Sequence, residues 1–341
     1  MSSRLRRVGP RRAGLGAISI AVVVATFVFV LPKIADYRDV WDVVKGLSWP
    51  WLVGLAAATA LNVTTFAPPW QVALPGLRFL PALTMTQAST ALSIVAPGGV
   101  AIGMAGSVGI LRSWGFAGAP VARAVTLTSL WNQFANLFYP VVAVFLLALS
   151  GQPTAVLATA AFVGVAILGV AVTALGLVLY SDRMAEDIGD VAAGGANWAL
   201  ARLRRRPVGW SGTSFERFRR DAVDLLRRRW HLLTLATLAG SLTVFLVLVV
   251  SLRALGVDSA EVTVVEAFAA WALARILGSI PITPGGIGIV ELSLTGTLVG
   301  FGGANAAVVA AVLVYRFLTM VPTLALGLAA AATWRRHRLH A

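Results

Sequence analysis

Two apolar runs of this sequence, 82–111 and 262–298, are each long enough to cross a bilayer, and each is cut near its middle. The first contains Pro97-Gly98-Gly99, and the second contains Pro281 followed by Pro284-Gly285-Gly286. Proline removes a backbone donor and glycine admits left-handed conformations, so a regular helix does not run through either place. Irregular backbone at membrane depth survives only where it is buried in protein or lines a wet cavity. Each run is therefore predicted to be a re-entrant hairpin of two half-helices.

The rest of the chain agrees with a membrane setting. Of its 341 residues, 58% are hydrophobic and 12% charged, roughly half the charged share of a soluble domain. Mean hydropathy is +0.83. Further apolar stretches lie at 15–31, 51–67, 121–149, 155–180, 231–252 and 304–334; most are near or beyond the ~20 residues that a spanning helix needs. The predicted fold is an all-α polytopic membrane protein with about six full spans plus the two re-entrant hairpins. The first stretch has a basic flank like that of a signal peptide, but no small-x-small cleavage site precedes Asp36, so a retained anchor is expected. With no cysteine, disulfides, thiolate catalysis and Cys-bound metal are excluded.

The net charge of +14 resolves into topology once its residues are placed. With a cytoplasmic N-terminus and both interrupted runs entering and leaving on one side, the basic N-terminal tail, Arg78, Arg112, Arg123, the connection 181–230 and Arg335, Arg336 and Arg338 all fall inside. Only Lys33, Arg38, Lys45 and Arg253 fall outside. This is the positive-inside pattern. The expected location is the cell membrane with both termini cytoplasmic, and nucleic acid is not an expected partner.

That topology also relates the two halves. Ser93 to Val100 lies over Ser279 to Ile287 with a one-residue gap, and the two hairpins open to opposite sides. Paired broken segments in an inverted repeat point to a transporter-type site near the bilayer midplane. The domain reading is a tail (1–14), a first membrane half (15–180), a basic connection (181–230), a second membrane half (231–334) and a second tail (335–341). Within the connection, Thr213-Ser214-Phe215-Glu216 has capping-box spacing, and Phe218, Ala222, Leu225 and Leu226 recur at helical intervals among arginines. A basic amphipathic helix lying on the inner leaflet, or a solvated connector, accounts for this segment.

Four ionisable residues lie within apolar runs: Glu266, Arg275, Glu291 and Arg316. Near the bilayer centre a charge costs at least roughly 2.5 kcal/mol, so partners are expected. Glu266 falls near an interface, leaving Arg275, Glu291 and Arg316 around the second break. Free N–H groups of a half-helix beginning near Gly285, with an arginine fork, suit an anionic head group. Glu291 orients an arginine, meets a cationic moiety, or pairs with Arg275 or Arg316 to hold helices together. Asn132 and Asn136 share a helical face with Ser129, for interhelical hydrogen bonding or substrate contact. Gly99, Gly103, Gly106 and Gly109 recur on one helix as a close-packing face. No metal-ligand spacing, dinucleotide fingerprint or Ser/His/Asp set is present, so no cofactor, metal or catalytic residue is expected.

From Ile282 to Glu291 the sequence reads Ile-Thr-Pro-Gly-Gly-Ile-Gly-Ile-Val-Glu, with Tyr315-Arg316 following. Here it resembles the flippase-like transmembrane domain of lysylphosphatidylglycerol synthases, also found as stand-alone membrane proteins. The resemblance implies lipid translocation between leaflets by two inverted re-entrant repeats. The breaks, the embedded charges and this motif together make Pro97, Gly98, Gly99, Asn132, Arg275, Pro284, Gly285, Gly286, Glu291, Tyr315 and Arg316 the expected substrate contacts. The first copy has Ala101 and Met104 where the second has Gly288 and Glu291, so the charged role carries to the second hairpin alone. No synthase domain follows the last apolar stretch, and aminoacyl transfer is not expected. The expectation is a non-enzymatic flippase of an anionic or aminoacylated (glyco)phospholipid, with membrane phospholipids as partners. The alternative is a membrane scaffold for envelope lipid or polysaccharide synthesis that docks envelope-biosynthesis proteins.

Overall fold

The computed structural model of the protein describes residues 45–95, 99–151, 162, 164–170, 172–173, 176–177, 212–279 and 283–333. The expected anchor at 15–31, most of the stretch 155–180, the connection up to 211, the tail from 334, and Pro97, Gly98 and Pro281 lie outside them. Every regular element among the described residues is helical.

Helix α1 (Trp49–Thr64) starts with Pro50 in its first turn, where a missing N–H costs nothing, and stops before Pro68-Pro69, which begin α2 (Pro68–Ala73). Then come α3 (Phe79–Val95), α4 (Gly99–Ser113) and α5 (Gly118–Leu149). Beyond them lie α6 (Gly212–Ala254), α7 (Val264–Ser279), a single 3-10 turn (Pro284–Gly286), α8 (Ile289–Gly300) and α9 (Asn305–Thr333). Among the described residues, four segments are long and apolar enough to cross a membrane: Trp49–Ala73, Gly118–Leu149, Phe218–Ala254 and Asn305–Ala330. The other two expected spans, 15–31 and 155–180, are the ones largely outside the described residues.

Helices α3, α4, α7 and α8 have 17, 15, 16 and 12 residues. Their lengths of ~18–26 Å fall short of the ~30 Å hydrocarbon layer. They pair as two antiparallel hairpins. In the first, Gly103 of α4 faces Ser89 and Ser93 of α3, so closely that a Cβ would strike Ser93 Oγ and stand 2.8 Å from the Ser89 carbonyl oxygen. Gly99 and Gly106 meet Ser93 and Leu92, whereas Gly109 faces open space, so the expected glycine face covers three of its four positions. In the second hairpin the foot is closed at Gly302 against the Glu261 carbonyl, and the tip at Gly278 against Val290. The two tips meet each other, since Gly285 abuts Ile94.

Helix α6 differs from the sequence expectation. Rather than turning between an amphipathic helix on the inner leaflet and the span that follows, residues Gly212–Ala254 form one continuous helix of 43 residues. No proline falls between 212 and 254 and the only internal glycine is Gly240, so nothing in the chain interrupts it. Ala222 and Leu226 are buried, as the amphipathic pattern predicts, and Leu226 joins the cluster of Leu111, Trp114 and Val121. Arg123 meets Asp221 at 3.8 Å.

Between apolar helices in lipid, packing and hydrogen bonds replace the hydrophobic drive. A ring cluster of Tyr139, Phe245, Phe268 and Trp271 joins α5, α6 and α7, with centroids 5.0 to 5.9 Å apart. Tyr139 also donates to the Leu238 carbonyl at 2.9 Å. Glu266 caps α7: its carboxylate accepts from Thr263 N–H and Oγ1, and its own N–H donates to Thr263 Oγ1.

Candidate functional site

The chain between α7 and α8 turns on three glycines. Gly285, Gly286 and Gly288 have φ of +62°, +65° and +88°, a region that other residues enter only with strain. Pro284 opens the 3-10 turn. At Gly286 a Cβ would also crowd Gly278 Cα and its carbonyl at 3.3 Å, so the motif keeps the two legs in backbone contact.

Around that turn the embedded charges divide into a pair and a single cation. Glu291, 1% exposed, accepts from Arg316 Nε at 2.7 Å and from its own helix's Gly288 N–H at 2.6 Å. Arg316 Nη2 donates to the Gly285 carbonyl at 2.9 Å. One ion pair thus ties α9 to both sides of the break. Helix α8 begins at Ile289 rather than near Gly285, and a carboxylate from its own first turn already serves its N-terminal end.

Arg275 is held differently. Its Nε and Nη2 donate to Asn136 Oδ1 at 3.0 and 2.6 Å, and Asn136 donates in turn to Gln133 Oε1 at 3.0 Å. The guanidinium carbon sits 5.0 Å from the Trp271 ring centre and 5.9 Å from that of Tyr139. All these partners are neutral, so they orient the fork without cancelling its charge.

These groups face one cavity of about 530 Å³. Ile94 and Val100 line it from the first hairpin; Arg275, Gly278, Ser279 and Gly285 line it from the second. Asn132 and Gln133 contribute from α5, and Tyr315, Arg316 and Met320 from α9. Among the described residues, Arg275 and Arg316 are the only charged ones of the lining, and Arg316 is matched by Glu291, which leaves one net positive charge on these walls. Of the residues singled out in the sequence, Asn132, Arg275, Gly285, Tyr315 and Arg316 line it. Pro284, Gly286 and Glu291 support the turn behind it. Gly99 begins α4 against the Ser93 carbonyl oxygen.

Asn136, singled out for interhelical hydrogen bonding or substrate contact, makes such a bond to Arg275. Two contributors were not among the residues singled out: Trp271 precedes Arg275 by one turn, and Tyr139 follows Asn136 by three residues on the same face.

Short broken hairpins inside a bundle of longer apolar helices, with a charged cavity where their tips meet, define a multi-pass helical membrane protein with a polar internal site. The family model for the lysylphosphatidylglycerol synthase TM region matches residues 16–327, and the chain belongs to that family. Comparison with curated proteins gave no match.

Proposed function

We propose that the protein is a non-enzymatic, flippase-like membrane protein that moves an anionic or aminoacylated (glyco)phospholipid between leaflets of the cell membrane, with both termini cytoplasmic. The observation that carries this reading is Arg275, a cation oriented by neutral groups and facing a cavity at the junction of two broken hairpins. Such a cation attracts a phosphate diester and supplies a planar fork for its oxygens. The half-helices are too short to cross alone, so the polar headgroup meets a wet, protein-lined passage while the acyl chains stay in lipid. The Glu291–Arg316 pair is internally neutral and keeps the passage in shape.

The test is reconstitution in liposomes carrying fluorescent anionic and aminoacylated lipids. Transport by the wild type that falls at least about tenfold in Arg275→Gln supports the reading; equal transport by both proteins sinks it.

A membrane scaffold is the second reading, favoured by three consecutive exposed arginines, Arg227 to Arg229, which offer a docking surface to a partner. Replacing them with glutamine discriminates the two: a scaffold loses its partner while a flippase keeps transport.

A further inference from the structure

Beside the charged cavity lies a second compartment of about 230 Å³, and the two share Phe66, Ser129 and Asn132 in their walls. This volume is many times the ~10–15 Å³ that one water needs. Among the described residues, none that lines it is charged. Its polar groups are hydroxyls and one amide, set beside the apolar surfaces of Phe66, Pro69 and Trp70.

Some of those hydroxyls are already committed. Thr65 Oγ1 donates to the Asn62 carbonyl and contacts Thr243, and Thr128 Oγ1 donates to carbonyls of its own helix. Thr237 is not committed. It is 8% exposed, lines the compartment, and its Oγ1 has no hydrogen-bond partner among the described residues. A buried hydroxyl is worth about 1–3 kcal/mol to pair, and one that faces a roomy neutral cavity is placed to pair with a polar group that enters it.

We propose that this compartment is a subsite for an uncharged polyhydroxylated group, the part of a phospholipid headgroup that lies beyond a phosphate held at Arg275. This inference rests on the lipid-transport reading above. Hydroxyls of the ligand exchange hydrogen bonds with Thr237, Thr90, Ser129 and Asn132, which all line the compartment, while an aromatic or proline surface covers the C–H face of a ring or chain. A site that pairs a ligand's hydroxyls rejects an analogue without them, because its own polar groups are then stranded. A hexol ring and a glycerol chain share this chemistry.

The experiment uses the full-length protein purified in detergent and measures displacement of a fluorescent phosphatidylethanol. The competitors are phosphatidylinositol, phosphatidylglycerol and unlabelled phosphatidylethanol, which all carry one negative charge and differ in hydroxyls. The wild type is expected to bind one of the two polyol lipids about tenfold more tightly than phosphatidylethanol, the ratio that one or two hydrogen bonds supply. Preference for phosphatidylinositol identifies a ring as the occupant, and preference for phosphatidylglycerol identifies a short polyol. The near-isosteric T90V/T237V variant is expected to bring that preference down to about one, and Thr237→Ser to retain it. Arg275→Gln is expected to weaken all three lipids alike with the preference intact.

Equal binding of the three lipids by the wild type, or a preference that survives in T90V/T237V, overturns the subsite. If Arg275→Gln then still weakens all three, the transport reading stands without it. Indifference of all three lipids to Arg275→Gln overturns the reading on which the subsite rests. A thermal transition of T90V/T237V at or above the wild-type temperature is expected, because it removes an unpaired buried hydroxyl.

Discussion

Asn136 and Arg275, 139 residues apart in sequence, are joined by two hydrogen bonds that end on one amide oxygen. The choice of an amide over a carboxylate is what leaves the guanidinium charge unbalanced towards the cavity. Asn136→Asp keeps the size and the acceptor but supplies the missing negative charge. The variant is expected to fold at least as stably as the wild type and to lose affinity for anionic lipids by at least about tenfold, with displacement binding as the measurement. Wild-type affinity in that variant would falsify the role given to the free cation.

The Glu291–Arg316 pair has the opposite character, because both partners are shielded and each is answered by the other. Removing one strands the other: Glu291→Ala or Arg316→Ala is expected to destabilise the fold by about 3–5 kcal/mol. Replacing both by apolar residues of similar volume is expected to recover most of the loss. Thermal unfolding of the four proteins in a double-mutant cycle measures this coupling, and additive losses would contradict it.

The glycine face of α4 gives a matched pair on one helix. Gly103→Ala is expected to cost about 1–3 kcal/mol by forcing α3 and α4 apart. Gly109→Ala, which meets nothing within 4 Å, is expected to stabilise by up to about 1 kcal/mol through helix propensity. Melting temperatures moving in opposite directions check both.

At the second break, Gly286→Ala must place a Cβ on a backbone with φ of +65° and beside Gly278. A loss of about 1–2 kcal/mol is expected from the left-handed conformation alone. Because the same turn carries the Gly285 carbonyl that holds Arg316, lipid transport is expected to fall with it. Liposome flux and unfolding, measured together, should change in the same variant.

Much of this architecture was legible because lipid penalises polar backbone. Pro284-Gly285-Gly286 could only be a break, and the chain duly turns there. Arg275, Glu291 and Arg316 stood out because few charges fall in apolar runs, and they do gather at that turn. Which carboxylate meets which arginine was not legible, since 275, 291 and 316 lie on three helices whose rotation is set by packing. Asn136 was visible only as a polar group on a helix face; its role depends on α5 meeting α7. The continuity of α6 is not legible from composition. A polar segment followed by an apolar one looks like two elements, yet without proline or an interrupting glycine the backbone carries on.

Helix α6 has a geometric consequence for where the cavity sits. Its 43 residues make a rod of ~65 Å, about twice the hydrocarbon thickness. The exposed Arg227, Arg228 and Arg229 cannot be drawn into that layer without a penalty of roughly 2.5–3.5 kcal/mol each, so they act as a stop at headgroup level. Measured along the rod from Arg229, Thr237 lies ~12 Å in and Val244, in the wall of the charged cavity, ~22 Å in. The basic end of this helix is thus a depth gauge, setting the neutral compartment nearer to headgroup level than the charged one.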